Sequence, residues 1–356
     1  MSHDAETLMR SIIERIATGP ELSKDIPETQ AYEGMRAILD QRIGDVQAAV
    51  FLIALRMKRE SREESRGVFR ALVDGSLNEP VAVDELLTVA DPFNGFDRCL
   101  PMSPFVPAVL AACGQPTLST GVEAVGPKFG LTHHQLLAAA GKSVSLTIRQ
   151  AASQLADPAV GWAYLDQSVT SPKLFRLGEL RRLIVKRTLL STCEVMLKPL
   201  TARRRNSVCI GYVHTGYPPI YAMLAELAGY DSAIIVKGVE GGITPSLNTR
   251  AKVYHARTGM PGEPLSLRPG SIGIDAGGAR AVPAPFEDLE ANAARAVELG
   301  LAALAGEPGI AREGLVYAAA VALAGAGRVE SIESGARTAR RALDSGEAKS
   351  RFAGAR

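Results

Sequence analysis

A chain of 356 residues, 46% hydrophobic and 22% charged, is long enough for two hydrophobic cores and too apolar for a disordered or fibrous protein. Forty basic against 38 acidic residues leave a net charge of +2, so the chain as a whole makes no electrostatic commitment to nucleic acid. Its longest apolar runs, 48–55 and 315–324, fall short of the roughly 18–20 residues that span a bilayer, which argues against a membrane partner.

Asp4, Glu6 and Arg10 precede any apolar stretch, which is not the order of a secretory signal, and a cytoplasmic address is expected. Leu8, Ile12, Ile13 and Ile16 recur on one helical face over 6–17. Further helices are predicted over 28–41 and 44–57, and Ser61-Arg-Glu-Glu is a capping box that opens a fourth. From Leu86 the texture changes: 117–119, 207–213 and 233–237 read as strands, and 106–113 as a helix between them. Thr132 suits the N-cap of a helix over 133–140, and a helical stretch over 174–197 is long enough to return to the N-terminal helices. Pro- and Gly-rich connections at 258–269 and 276–285 lead to helices over 286–305, 309–325 and 331–345. The four cysteines, Cys99, Cys113, Cys193 and Cys209, lack the close spacing of zinc or redox sites and read as buried thiols.

This pattern predicts an α/β protein: a small N-terminal α-helical domain over 1–85, joined by helices from about 174–198, and a larger α/β domain. The latter is built from 86–173 and 199–356 around a mostly parallel central sheet. A ligand site is expected in the cleft between the domains, near the carboxyl ends of the strands.

Gly161-Trp-Ala-Tyr-Leu, Ser171-Pro172, Leu180-Arg181-Arg182 and Arg187-Thr188 fall, without a gap, at the spacing of G-x-x-F-L, H-P, V-R-R and R-T. In this the chain resembles the anthranilate phosphoribosyltransferase family. The strand leading into Gly238-Val239-Glu240-Gly241 is similar to the family's V-x-G-x-D-G, and the 47–64 segment to its N-terminal helical hairpin. The resemblance implies a phosphoribosyltransferase-like protein binding a phosphorylated ribose such as phosphoribosyl pyrophosphate in the interdomain cleft. It also implies magnesium, no organic cofactor and a homodimer through the helical domain, where Val46, Val50, Phe51, Ile53 and Ala54 would supply apolar surface.

Carried over residue by residue, the resemblance places Asn94, Gly95, Arg98, Ser103, Gly121 and Lys128 at the phosphates and Arg181 at the acceptor's carboxylate. No catalytic residue is assigned. The departures are specific. The family's G-T-G-G-D loop is replaced by a stretch holding only Gly95, and its metal-binding Asp-Glu pair by Ile243 and Thr244, which leaves Glu240 as the nearest metal-ligand candidate. These changes weigh against anthranilate as substrate. The run from Arg181 through Arg182, Lys186 and Arg187 to Arg203, Arg204 and Arg205 supports an alternative: a non-catalytic paralogue that binds single-stranded nucleic acid.

Overall fold

The computed structural model describes residues 2–19, 21–257 and 259–356. Four helices, α1 (Ser2–Ile16), α2 (Glu28–Leu39), α3 (Asp45–Lys58) and α4 (Arg62–Asp74), form the N-terminal domain. Met9, Ile12, Met35, Phe51 and Phe69 fill its interior. The capping box at Ser61 forms as predicted, and the Glu64 carboxylate that closes it also accepts from the Ile26 N–H and from Lys58. That carboxylate is fully buried, and the three hydrogen bonds it accepts, from Ile26, Lys58 and the Ser61 N–H, offset the lost hydration. Phe51 and Ala54, expected on an outer face, lie inside this core, whereas Val46 and Met57 are 79% and 75% exposed.

The second domain is built on a sheet of strands β1 (Glu85–Ala90), β2 (Thr117–Gly121), β3 (Trp162–Asp166), β4 (Arg205–Tyr212), β5 (Ser232–Lys237), β6 (Ala251–Arg257), β7 (Met260–Pro261) and β8 (Leu265–Leu267). Its order is β8-β6-β5-β4-β1-β2-β3, with β7 paired to β6. The block β5-β4-β1-β2-β3 is parallel, and β6 closes its edge antiparallel to β5. Parallel strands are covered on both faces, which is why 233–236 is buried throughout and apolar without alternation. Helix α5 (Val106–Ala112) and the alanine-rich α11 (Ile310–Gly325) cover one face, together with Phe105, Trp162 and Tyr317. Helix α9 (Tyr217–Leu227) covers the other and packs on α4, which joins the two domains.

Three expectations need correction. The single helical stretch over 174–197 is broken: α8 (Gly178–Ile184) ends where Val185 turns left-handed at φ 61°, and the short helix Leu190–Cys193 and a 3-10 turn at Glu194–Met196 follow. The connection expected over 258–269, whose first residue lies outside the described ones, holds β7 and β8. Strands β1, β3 and β6 fall outside the segments expected as strands.

Candidate functional site

The carboxyl ends of β1, β2 and β4 converge with the turn after β5. Asp91, directly after β1, is buried, and its Oδ1 accepts from the Ile243 N–H at 2.8 Å. Its Oδ2 accepts from the Ser103 hydroxyl and lies 2.9 Å from His133 Nε2. Ser119 Oγ, on β2, is 2.8 Å from His133 Nδ1. Helix α6 (His133–Ala139) sets this ring in place, because Thr132 caps it through a box with Gln135. The four side chains saturate one another in the interior and hold the ends of β1 and β2 and the 243 backbone in register. His134, next along the helix, faces elsewhere: its Nδ1 is 2.8 Å from Asp166 Oδ2, which also accepts from Tyr164 OH at 3.0 Å. Burial would raise the Asp166 pKa, but His134 and the Ser168 N–H reverse this and hold it below the usual value.

The loop after Asp91 and the 126–131 loop are laced together by backbone pairing. Gly130 N–H donates to Asn94 at 2.9 Å, and Phe96 pairs with Leu131. Gly95 sits at φ 76°, and a Cβ there would lie 2.2 Å from the Gly130 carbonyl oxygen. Its glycine is therefore required by protein backbone pressed against it. Beyond this contact the chain turns so that the N–H groups of Asp97, Arg98 and Cys99 point at one spot, and the Glu240 carboxylate fills that spot. The distances are 3.1, 2.9 and 3.0 Å, and Lys128 Nζ adds a fourth donor at 2.5 Å. Glu240 reaches it from a left-handed turn at φ 51°. Burial would raise its pKa, but Lys128 and the backbone donors outweigh this and lower it from the ordinary 4.5.

Arg181, on α8, is buried and forks onto Glu194 at 2.6 and 2.7 Å, with Gln167 donating to the same carboxylate at 3.1 Å. Neither a solvated helix face nor a free acceptor-binding arginine describes it: its charge is already matched. Asn94 is assigned with its amide oxygen toward Arg187, whose Nε and Nη2 lie 2.8 and 3.2 Å away. This contact ties the loop after β1 to the segment that follows α8.

Of the residues expected at the phosphates, Asn94, Gly95, Arg98 and Lys128 come together around the 94–99 loop. Ser103 does not join them, because its hydroxyl is buried and committed to Asp91. Gly121 is also inside, where a Cβ would meet the Tyr164 hydroxyl at 3.0 Å. Arg98 is exposed, and among the described residues its guanidinium pairs with no side chain. The basic stretch is split. Arg203 and Arg205 lie at the starts of β1 and β4, 3.7 Å from Asp84 and 2.7 Å from Glu85, whereas Arg187 lies past the far end of β1. Six strand residues separate those levels, about 20 Å at the usual rise.

A resident magnesium does not fit the donors present. Glu240 is saturated by N–H groups and an ammonium, Ile243 and Thr244 offer no carboxylate, and among the described residues no group of three or more His, Cys, Asp or Glu could hold an ion. Reasoning from sequence missed Asp91, Ser119, Glu194 and the role of Arg187. Asp91 and Glu194 could have been flagged as lone acids beside apolar runs, whose burial demands a partner.

Comparison with known proteins accords with this architecture. Residues 10–76 match the helical bundle domain of the glycosyl transferase family, and residues 97–349 match its a/b domain. An anthranilate phosphoribosyltransferase of Erythrobacter litoralis is 30% identical over 342 residues, 92% of this chain and 94% of that protein. An uncharacterized protein of Aquifex aeolicus is 29% identical over 315 residues, 88% of this chain and 91% of its own. The fold is shared with anthranilate phosphoribosyltransferase from Saccharomyces cerevisiae in complex with phosphoribosyl pyrophosphate and magnesium, at TM-score 0.79 and 15% identity, over 98% of this chain and 96% of that one. The Thermus thermophilus enzyme gives TM-score 0.76 at 21% identity over 97% of both chains. The chain belongs to the anthranilate phosphoribosyltransferase family of two-domain glycosyl transferases.

Proposed function

We propose that the protein binds a phosphorylated ribose, such as phosphoribosyl pyrophosphate, in the cleft at the carboxyl ends of β1, β4 and β5, and that anthranilate is not its acceptor. The observation that carries this reading is the gathering of Asn94, Lys128, Arg187 and the unpaired Arg98 around one loop at the end of β1. Arginine forks and backbone donors at strand ends are the usual means of holding phosphate. Against anthranilate stands Arg181: an incoming carboxylate would have to displace Glu194 from a buried bidentate pair. Isothermal titration with ribose 5-phosphate and with phosphoribosyl pyrophosphate, each with and without magnesium, tests the reading. Saturable heat from either ligand is expected, and no phosphoribosyl anthranilate should form. Absence of heat from both would discard it.

The relatives' activity suggests magnesium delivered with a diphosphate rather than held in a protein cage, and the same titration reads this. A homodimer through α3 and α8 is part of the proposal, supported by exposed Val46 and Leu183 beside a groove of about 230 Å³ between those helices. Among the described residues no helix is long and apolar enough to cross a membrane. The four free cysteines accord with a cytoplasmic address.

A further inference from the structure

Three successive backbone N–H groups aimed at one point form a concavity for an oxyanion, and a lysine at its rim makes it selective for negative charge. In this protein the concavity at Asp97, Arg98 and Cys99 is filled by the protein's own Glu240. The filling is imposed rather than incidental. Glu240 adopts φ 51°, a conformation that side-chain-bearing residues rarely take, between Val239 and a Gly241 at φ 88°. The turn is fixed from beneath: a Cβ on Gly242 would lie 2.9 Å from Asp91 Oδ1, and the Ile243 N–H is anchored on that same oxygen. The Asp91 network therefore positions the segment that delivers Glu240.

The charge balance is equally specific. Among the described residues Lys128 is the one ammonium on the carboxylate, and Asp97 is only 3.7 Å from that ammonium. With Glu240 in place the local sum of these three groups is one negative charge, so the positive charge of Lys128 is already matched from within the protein. A second, structural service follows from the same contacts, since Glu240 staples the turn after β5 to the 97–99 backbone. That service alone would not close the site to anions, and the two roles give different binding results.

We infer that Glu240 determines ligand specificity by taking the place of a ligand oxyanion on the Asp97, Arg98 and Cys99 N–H groups, so that the cleft accepts a ribose monophosphate and excludes a diphosphate at this point. The monophosphate part of the statement rests on the reading proposed above; the closure of the N–H site by Glu240 does not. Removing the side chain should leave an open site for a tetrahedral oxyanion, with Lys128 released to hold it. Glycine is the replacement of choice because it relieves the left-handed backbone at the same time.

The experiment is titration of wild type and Glu240→Gly with inorganic pyrophosphate, ribose 5-phosphate and phosphoribosyl pyrophosphate. The expected result is pyrophosphate binding at least tenfold tighter in Glu240→Gly than in wild type, with Lys128→Met in the same background abolishing the gain. A gain of less than tenfold overturns the inference. In wild type, phosphoribosyl pyrophosphate should bind within tenfold of ribose 5-phosphate; a larger preference for the diphosphate also overturns it, and this arm holds even where Glu240→Gly does not fold. Wild type that takes neither ribose ligand, beside a Glu240→Gly that gains pyrophosphate, upholds the role of Glu240 and removes the ribose reading instead.

Discussion

Lys128 Nζ and Glu240 Oε2 meet at 2.5 Å, joining the 126–131 loop to the turn after β5. Glu240 has a folded pKa below its ordinary 4.5, so its contribution to stability is present above that pH and is lost as pH falls through the lower folded value. Asp166, held below its ordinary 3.8 by His134, acts in the same direction. Glu240→Gln should therefore lower the urea midpoint at about pH 7, and the gap to wild type should narrow as the pH falls below the ordinary 4.5 and through the lower folded value. A gap that stays constant across that range would show that charge at Glu240 contributes nothing.

Arg181→Ala should be among the most destabilising single changes on the cleft side of the molecule. Glu194 would be left buried with only Gln167 as a donor, and an uncompensated buried charge costs about 3–5 kcal/mol. Arg181→Ala with Glu194→Ala should cost less than the sum of the two single changes, because the second removes the stranded charge. Urea unfolding of the four proteins in the cycle measures this. A loss under about 1 kcal/mol for Arg181→Ala would mean that water reaches Glu194 and screens it.

Local chemistry was legible in the sequence, and long-range closure was not. The box at Ser61 and the N-cap at Thr132 form where the residues put them, and the 233–236 run is a buried parallel strand as its unbroken apolarity implied. The break after Ile184 left no signal, because the residue forced into left-handed backbone is Val185, where glycine or asparagine would be the usual marker. At the site, the 94–99 loop was found through its resemblance, but its occupant was not. Glu240 lies more than 140 positions from the N–H groups that it caps, and nothing in the intervening sequence records the pairing. Likewise, Arg181 to Arg205 is one cluster in sequence but is divided by the length of a strand, since the connection over 188–204 returns the chain from the far end of β1, where Arg187 lies, to the start of β4.

The dimer proposal turns on exposed residues, and Val46 is the one to change. At 79% exposure it makes little contribution to the monomer, so Val46→Glu should leave the monomer's unfolding free energy within about 0.5 kcal/mol of wild type. At a self-association interface the same carboxylate would be desolvated, and the dimer constant should weaken at least tenfold, the equivalent of about 1.4 kcal/mol. Sedimentation equilibrium over a range of concentrations reads both species. A wild-type chain that sediments as a monomer at micromolar concentration would end the proposal.

The nucleic-acid alternative makes its own demand on Arg203, Arg204 and Arg205. If each touched one phosphate of a single strand, neutralising all three would flatten the dependence of log affinity on log salt by about two units, at about 0.7 per contact. The structure leads to a smaller expectation. Arg205 is paired to Glu85 at 2.7 Å and Arg203 is 3.7 Å from Asp84, so two of the three charges are partly spent within the protein. They also lie at the opposite end of β1 from Arg187 and Arg98, too far for one short strand segment to track both groups along a continuous basic path. The triple neutralisation should therefore change the slope by less than about 0.7, and oligonucleotide binding at about 50 mM salt should fall no more than a few-fold. A change near two units would show that the acidic partners release these arginines to phosphate, and would return weight to a nucleic-acid surface at the amino-terminal edge of the sheet.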